Sequence, residues 1–508
     1  MEVYLRPLRL FSRFWRRPIG IASMKSASPA ALKEEANVEL VHKFNKDIQC
    51  LFLYLNTNVK KTGGVVPVFR RALLFPSRVA LQDDFGIYTY AGLHQAASAL
   101  SKDIAAQLGK TIAYMCSNDA SHIIVQWAIW MTGNIGLHYF ISKHLFIKPK
   151  GVVWTHSMLQ TQISSLHSAW RYSARDVVLH ALPLIRMLSK FVSHVVWSRL
   201  LGMGERDEFK VTVFHGVPAM YAKLAHDYDK MFGDSRTAEY VRSTLANRMR
   251  LMCAGSAPLP ETLFKKWEDL SGIRLLERYG MTECGMAISN PFDPVEERTV
   301  GCVGFPLPGM QARIAVATEG SEEMQPLITV ETPAVSNEVC VLNYTIGDKL
   351  KIFGLGKCDY SRLYWNRAPT LASSDWTSDE WFRSGDTASY SDTFRILGRT
   401  SSDIIKTSGY KVSALQVESA ILEHPDVTDA AVVGIPHEDY GEIVAVVVTT
   451  RDKKTLSIQE LKNEAGKKLA PYQLPKTMVV VEEMPRNIMG KLDKKVIKAK
   501  FAEALALK

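Results

Sequence analysis

A large α/β domain followed by a small α+β domain is what this 508-residue sequence predicts. Three observations predict it. The length exceeds what one hydrophobic core usually supports, so two or more domains are expected. Short β-branched runs alternate with amphipathic segments through the middle of the chain, the pattern of a layered sheet with helices. After Arg399 the texture changes, and a stretch of about a hundred residues, an ordinary domain size, carries strands and capped helices of its own.

The elements follow in order. Residues 1–33 hold Arg6, Arg9, Arg13, Arg16, Arg17, Lys25 and Lys33 against Glu2 alone, and so carry six of the ten net positive charges. Leu5, Leu8, Phe11 and Trp15 recur among those arginines at helical spacing, and Ser and Ala follow through Pro29. Residues 1–28 therefore read as a mitochondrial transit peptide, with the matrix as destination; a basic arm without an address is the other reading. Away from this segment no basic stripe with interleaved aromatics occurs, which argues against a nucleic-acid partner. Between Asp119 and Lys143 no charged residue occurs. His122, Gln126, Asn134 and His138 interrupt that stretch, so it reads as a buried helix ending near Thr132-Gly133-Asn134 and not as a membrane span. The seven cysteines are odd in number and lack any C-x-x-C pair, which suits a reducing compartment and disfavours zinc or disulfide frameworks.

Further along, 211–214 reads as a strand and 218–229 as a helix. Residues 250–254 read as a strand, Gly255-Ser256-Ala257 as a turn and 260–270 as a helix. A strand at 274–277 leads to a second turn at Gly280. Turns at the C-terminal ends of parallel strands are where such folds bind ligands, so the two turns are expected to line one crevice. In the small domain Ser413 caps a helix with Leu415, Ile421 and Leu422 on one face, and Ser457-Ile458-Gln459-Glu460 is a capping box. Residues 430–433, 443–450 and 476–481 read as strands.

Chemistry gathers at a few of these points. Arg278-Tyr279-Gly280-Met281-Thr282-Glu283 sets a cation, a flat ring, a hydroxyl and a carboxylate together. Those are the types a magnesium nucleotide needs for stacking, phosphate contact and metal ligation. Asp386, in Ser384-Gly385-Asp386, offers a carboxylate to two ribose hydroxyls. Gly490-Lys491 places a lysine in a basic C-terminal loop. Singly, each of these short patterns matches by chance.

Their order is more specific. Gly255-Ser-Ala-Pro-Leu, Tyr279-Gly-Met-Thr-Glu, Gly385-Asp386, Gly398-Arg399, Ser408-Gly409-Tyr410-Lys411 and Gly490-Lys491 resemble, in sequence order, the motifs of the adenylate-forming acyl-CoA synthetase superfamily. The resemblance covers most of the chain after Pro149 and is strongest to the malonyl-CoA synthetases, around Leu275 to Ser289 and Gly398 to Lys495. It implies a large N-terminal adenylating domain over 29–400 and a small mobile lid over 401–508. It implies ATP, Mg2+ and coenzyme A as cofactors, and a small carboxylic acid, malonate or methylmalonate, as substrate. By the same resemblance Glu283 matches the magnesium ligand, Thr282 a phosphate contact, and Gly255, Ser256 and Tyr279 positions around adenine. Asp386 and Arg399 match ribose ligands, Ser401 the hinge, Lys491 the adenylation lysine, and Gly409 the loop that lines the thiol path. Arg278 matches the arginine that pairs with a distal substrate carboxylate; a structural salt bridge is its other reading.

The chain also departs from the family. Of the Ser/Thr/Gly-rich phosphate loop only Pro149-Lys150-Gly151 survives, with Lys150 its candidate phosphate contact, and several tens of preceding residues are absent. After Leu182-Pro183-Leu184 the His-rich motif is replaced by Ile185-Arg-Met-Leu-Ser-Lys, and 347–364 lacks the usual Gly-Glu-Leu strand. The adenylating domain is thus internally truncated on the side that cradles phosphates. Two alternatives follow: a catalytically impaired chain, or a medium-chain fatty-acid CoA ligase whose apolar pocket has no use for Arg278.

Overall fold

The chain divides into Met1–Val66 and Pro67–Lys508. The computed structural model describes residues 65–105, 111–117, 119–138, 151–181, 192–317, 324–332, 344–345, 351–352, 364–365, 377, 381–451, 454–486 and 492–506. The transit-peptide expectation for 1–28, the loop ending at Lys150, the segment after Leu182, most of 347–364 and Lys491 lie outside those residues.

Residues 67–138 open on the hairpin Val79–Asp83/Gly86–Thr89 and two helices, Tyr90–Ile104 and Ala120–Met131. Asp119 caps the second helix through Ser121 N–H, and the chain leaves it at Thr132-Gly133, where the sequence places its end. No helix among the described residues is long and apolar enough to cross a membrane.

Helix α1 (His156–Trp170) then precedes the main sheet. That sheet holds β1 (Val178–Leu179), β2 (Val213–Gly216), β3 (Leu251–Gly255), β4 (Leu276–Met281), β5 (Gly285–Ser289) and β6 (Phe305–Pro306), side by side in that order. The first four are parallel and the last two antiparallel. Crossover helices join the parallel strands: α2 (Pro218–Met231) and α3 (Ser235–Arg248) follow β2, and α4 (Glu261–Ser271) follows β3. Strand side chains alternate between faces with period two. Phe214, Met252 and Ala254 therefore meet Tyr221, Leu224, Leu245, Phe264 and Trp267 of the helices on one face. Val213, Leu251, Cys253 and Leu276 pack on Trp170 on the other.

Strand β4 departs from the expected pattern. It runs on through Arg278-Tyr279-Gly280, and the turn falls at Thr282 to Cys284. Gly280 is therefore a strand residue. A Cβ there would lie 2.2 Å from the Gly285 carbonyl oxygen, so its lack of a side chain admits the neighbouring strand and does not make a turn.

Beyond β6 the hairpin β7 (Asp386–Ser391)/β8 (Thr393–Arg399) leads directly into the small domain. There β9 (Ile404–Thr407), β10 (Tyr410–Ser413), β11 (Val427–His437), β12 (Gly441–Thr450) and β13 (Thr477–Val480) form one mixed sheet. Helix α5 (Ala414–Ile421) begins at the Ser413 cap and α6 (Ile458–Ala465) at the Ser457–Glu460 capping box, both as the sequence predicts. The buried face of α5 is Ala414, Val417 and Ile421, together with the carboxyl of Glu418, and not Leu415. With α6 it packs against Val432, Val444 and Val446. Helix α7 (Lys494–Leu505) covers the other face through Ile497 and Leu505. Lys468 bridges the two domains, 2.7 Å from Glu423 of its own domain and 2.9 Å from Glu261 of α4.

Next to Arg278, the carboxyl of Glu277 points to the opposite face, buried, where it accepts the Gly301 N–H at 2.7 Å. Burial pushes its pKa up to about 8. An acid whose folded pKa lies above its unfolded value binds more protons when folded. Its stabilising contribution is thus full below about 4.5 and lost as pH rises through about 8. Glu277→Gln, which keeps the acceptor without the charge, is expected to gain roughly 3–5 kcal/mol over the unmodified chain above that pH. Urea unfolding at pH 6 and pH 9 checks it: equal shifts at both pH values would contradict this account.

Candidate active site

At the C-terminal ends of β3 and β4 the parallel register sets Gly255 opposite Arg278 and Cys253 opposite Leu276; β2 sets His215 opposite Cys253. Paired residues share a face, so His215, Gly255 and Arg278 lie on the side covered by the end of α1. Gly255 is required there. A Cβ on it would sit 2.8 Å from the Arg278 guanidinium carbon and 2.7 Å from its carbonyl oxygen. The guanidinium occupies the space that a side chain would take.

Arg278 is 6% exposed, its Nε has no hydrogen-bond partner, and no carboxylate forms an ion pair with it among the described residues. Its Nη1 donates to Ser256 Oγ in a long hydrogen bond of 3.4 Å. Ser256 itself is exposed with a left-handed φ of 67°, so the turn after β3 projects from the strand end as the sequence predicts. Burial lowers the pKa of Arg278, yet the group stays charged because arginine starts from 12.5. Beside it His215 Nε2 shares a 2.6 Å hydrogen bond with Tyr172 Oη, and Trp170 packs its ring 5.6 Å from the imidazole. Burial first, and then the charge of Arg278, push the imidazole down to about 4, so it is neutral at physiological pH. Among the described residues the arrangement is a neutral, aromatic-walled surround for one positive charge that no carboxylate pairs.

The second half of the crevice is built on the β7–β8 hairpin, whose register places Asp386 directly across from Arg399. Arg399 Nε lies 2.8 Å from Asp386 Oδ1, and its Nη1 donates to Ser384 O at 3.0 Å. Tyr279 Oη donates to the other oxygen of Asp386, which ties β4 to this hairpin. Burial raises the Asp386 pKa against the pull of Arg399 and Tyr279, while Asp403 and Glu283 add to the rise. Glu283 is thereby within electrostatic range of Asp386. Thr282 is exposed at the β4–β5 turn, where its carbonyl accepts Trp154 Nε1–H at 2.8 Å. The structure thus brings Gly255, Ser256, Arg278, Tyr279, Thr282, Glu283, Asp386 and Arg399 to one end of the sheet region.

Ser401 is exposed in the short link between β8 and β9, and Ser408-Gly409 forms the left-handed turn between β9 and β10, with φ of 50° and 81°. Tyr410 stacks on Tyr472 at 4.3 Å, within the small domain. Lys150 and Lys491 fall outside the described residues. Three participants escaped the sequence reading. His215 and Tyr172 are 43 positions apart and meet only through the sheet. Lys494 is buried between Asp403 and Glu418, at 2.7 and 2.8 Å. Burial opposes its charge, and those two carboxylates outweigh it, so its pKa is raised. No local signal pointed to it, because both partners lie far back in the chain.

Comparison with known proteins adds to this geometry. The family model described as "AMP-binding enzyme" matches residues 148–341, and that of the "AMP-binding enzyme C-terminal domain" matches 416–491. The chain is 35% identical over 537 residues to the mitochondrial malonate–CoA ligase ACSF3 of Mus musculus, covering 85% of this chain and 90% of that protein. It is 35% identical over 386 residues to a malonate–CoA ligase of Arabidopsis thaliana, over 69% of this chain and 58% of that one. Since 85% of 508 residues is about 430, roughly a hundred of the 537 positions aligned with the mouse protein have no counterpart here. That matches the internal truncation read from the sequence. Among solved structures, ATP-bound MatB from Rhodopseudomonas palustris superimposes with a TM-score of 0.69 at 22% identity, over 87% of this chain and 99% of that one. The anthranilate CoA ligase AuaEII with anthranoyl-AMP gives 0.65 at 17% identity, over 86% and 97%. These likenesses establish the fold.

Gly255→Ala tests the packing at the centre of the site. It is expected to cost about 1–3 kcal/mol, the usual toll of overpacking, because a carbonyl oxygen cannot move aside as a side chain can. Thermal unfolding measures it, and an unchanged midpoint would show that the close approach is relaxed.

Proposed function

This chain belongs to the AMP-binding enzyme family, and from that premise we propose that it is an acid–thiol ligase. It joins malonate or methylmalonate to coenzyme A by way of an acyl-adenylate. The observation that carries the choice of acid is the buried Arg278 at the end of β4, which no carboxylate among the described residues pairs. A buried charge without a partner is costly, and a second carboxylate on the substrate relieves that cost. A fatty acid has only the reacting carboxylate and would leave the cation unpaired. That is why the dicarboxylate reading is preferred to the medium-chain one.

In the first half-reaction the reacting carboxylate attacks the α-phosphorus of ATP; a P–O bond forms and pyrophosphate leaves. Tyr279, Gly255 and Ser256 surround the adenine, and Asp386, held by Arg399, receives the ribose hydroxyls. Thr282 contacts phosphate, and Lys150 is placed at the surviving end of the phosphate loop. Glu283 would hold Mg2+, whose charge offsets that of the phosphates. Lys491 supplies positive charge toward the oxygens that gain negative charge. The small domain then turns about Ser401, bringing the Gly409 loop to the site. The thiolate of coenzyme A attacks the acyl carbon, the thioester forms, and AMP leaves.

The assignments of 1–28 to a transit peptide, 29–400 to the adenylating domain and 401–508 to the lid belong to this proposal. So does residence in the mitochondrial matrix, which the mitochondrial names of the relatives support.

AMP release with malonate, methylmalonate or octanoate, with and without coenzyme A, is the decisive assay. Release with the two dicarboxylates and not with octanoate is expected. Absence of AMP with every acid would overturn the ligase reading for this chain and favour the impaired alternative. Arg278→Leu should lower kcat/KM for malonate by roughly 10²–10³, the loss expected for one partner of a desolvated charge pair. Retained preference for malonate would refute its role.

A further inference from the structure

A chain of four charged groups, three of them buried, runs from the small domain to the proposed nucleotide site. It starts at Lys494, the first residue of α7, whose ammonium lies 2.7 Å from Asp403 Oδ1 and 2.8 Å from Glu418 Oε1. The side chains of all three are nearly enclosed, at 13%, 11% and 10% exposure. Asp403 uses its other oxygen, Oδ2, to accept the backbone N–H of Arg399 at 2.8 Å, while its own N–H donates to Arg399 O at 2.8 Å. The backbone of Arg399 is therefore gripped at both its polar groups by one residue. From that fixed backbone the guanidinium reaches Asp386 Oδ1 at 2.8 Å.

We propose that Lys494 is a positioning residue for nucleotide binding, acting through Asp403 on Arg399 and so on Asp386. The inference rests on the reading of Asp386 and Arg399 as ribose ligands. Its physical basis is the cost of a buried, unpaired carboxylate. Without the ammonium, Asp403 turns toward water or takes up a proton, and in either case it no longer holds the Arg399 N–H in the same geometry. Arg399 is half exposed, and beyond Asp386 its guanidinium is held by the Ser384 carbonyl at 3.0 Å, so the placement of its backbone by Asp403 bears directly on where the guanidinium sits. Glu418 has a different role: it accepts the Val432 N–H at 2.7 Å and steadies Lys494 from the sheet side, away from Arg399.

The test is calorimetric titration of MgATP alone into the full chain, a readout that needs no turnover. Lys494→Met is expected to raise the dissociation constant about tenfold, and Lys494→Arg to restore it to within about twofold of the unmodified chain. Glu418→Gln, which disturbs the same buried network without breaking the link to Asp403, should stay within about twofold even where it lowers the melting temperature. Should Lys494→Met fail to fold, Asp403→Asn breaks the same link at constant volume and is expected to weaken binding in the same direction. Unchanged binding in Lys494→Met, or an equal loss in Glu418→Gln, overturns the positioning role. Asp386→Ala separates the two levels. If it abolishes binding while Lys494→Met leaves it intact, this inference fails alone. If it leaves binding intact, or the unmodified chain binds no MgATP, the nucleotide-site reading fails and this inference with it.

Discussion

The space above Gly255 is occupied by the guanidinium of Arg278, and much of the site's construction depends on that. A cation can stand unpaired at a buried strand end only if the neighbouring strand gives up its side chain and no anion neutralises it, and among the described residues no carboxylate does so. Both conditions hold. Register places the glycine directly opposite, and two polar neighbours, Tyr172 and His215, are occupied with each other. The neutral imidazole neither repels the guanidinium nor neutralises it. Among the described residues the guanidinium therefore keeps an unspent positive charge, the feature on which the proposed dicarboxylate preference rests.

Much of this could be read from the sequence where the determinants are local. The caps at Ser413 and Ser457 each act over three residues, and their helices begin where those side chains require. The strand–turn–helix run through Gly255 was legible for the same reason. Gly280 was not, because glycine's two uses, turning a chain and admitting a neighbour, look alike in one dimension; only the approach of Gly285 O tells them apart. On α5 the apolar pattern suggested a face containing Leu415. The structure instead buries Glu418, whose burial is sustained by Lys494, far away in the chain. Motif order could gather Tyr279, Asp386 and Arg399, yet it could not reveal that Tyr279 and Arg399 share the two oxygens of Asp386.

The two halves of the site are anchored differently. Arg278 and Tyr279 sit on a strand with neighbours on both sides, whereas Asp386 and Arg399 sit on a two-stranded hairpin. A two-stranded ribbon is weak support in isolation. The bond from Tyr279 and the grip of Asp403 compensate from either side, one from the large domain and one from the small. The Arg278 end is thus rigid by architecture, and the Asp386 end is rigid by charged contacts.

Lys468 has one carboxylate partner in each domain, and this bears on how freely the small domain can turn. When the domains part, the ammonium keeps Glu423 and gives up only Glu261, a pair exposed to water on both sides. Such a pair contributes about 0.2–1 kcal/mol. It therefore biases the two orientations by a factor of about five at most, and by less as salt rises. A clasp this weak would set a preferred resting orientation without slowing the domain rotation that the proposed reaction requires.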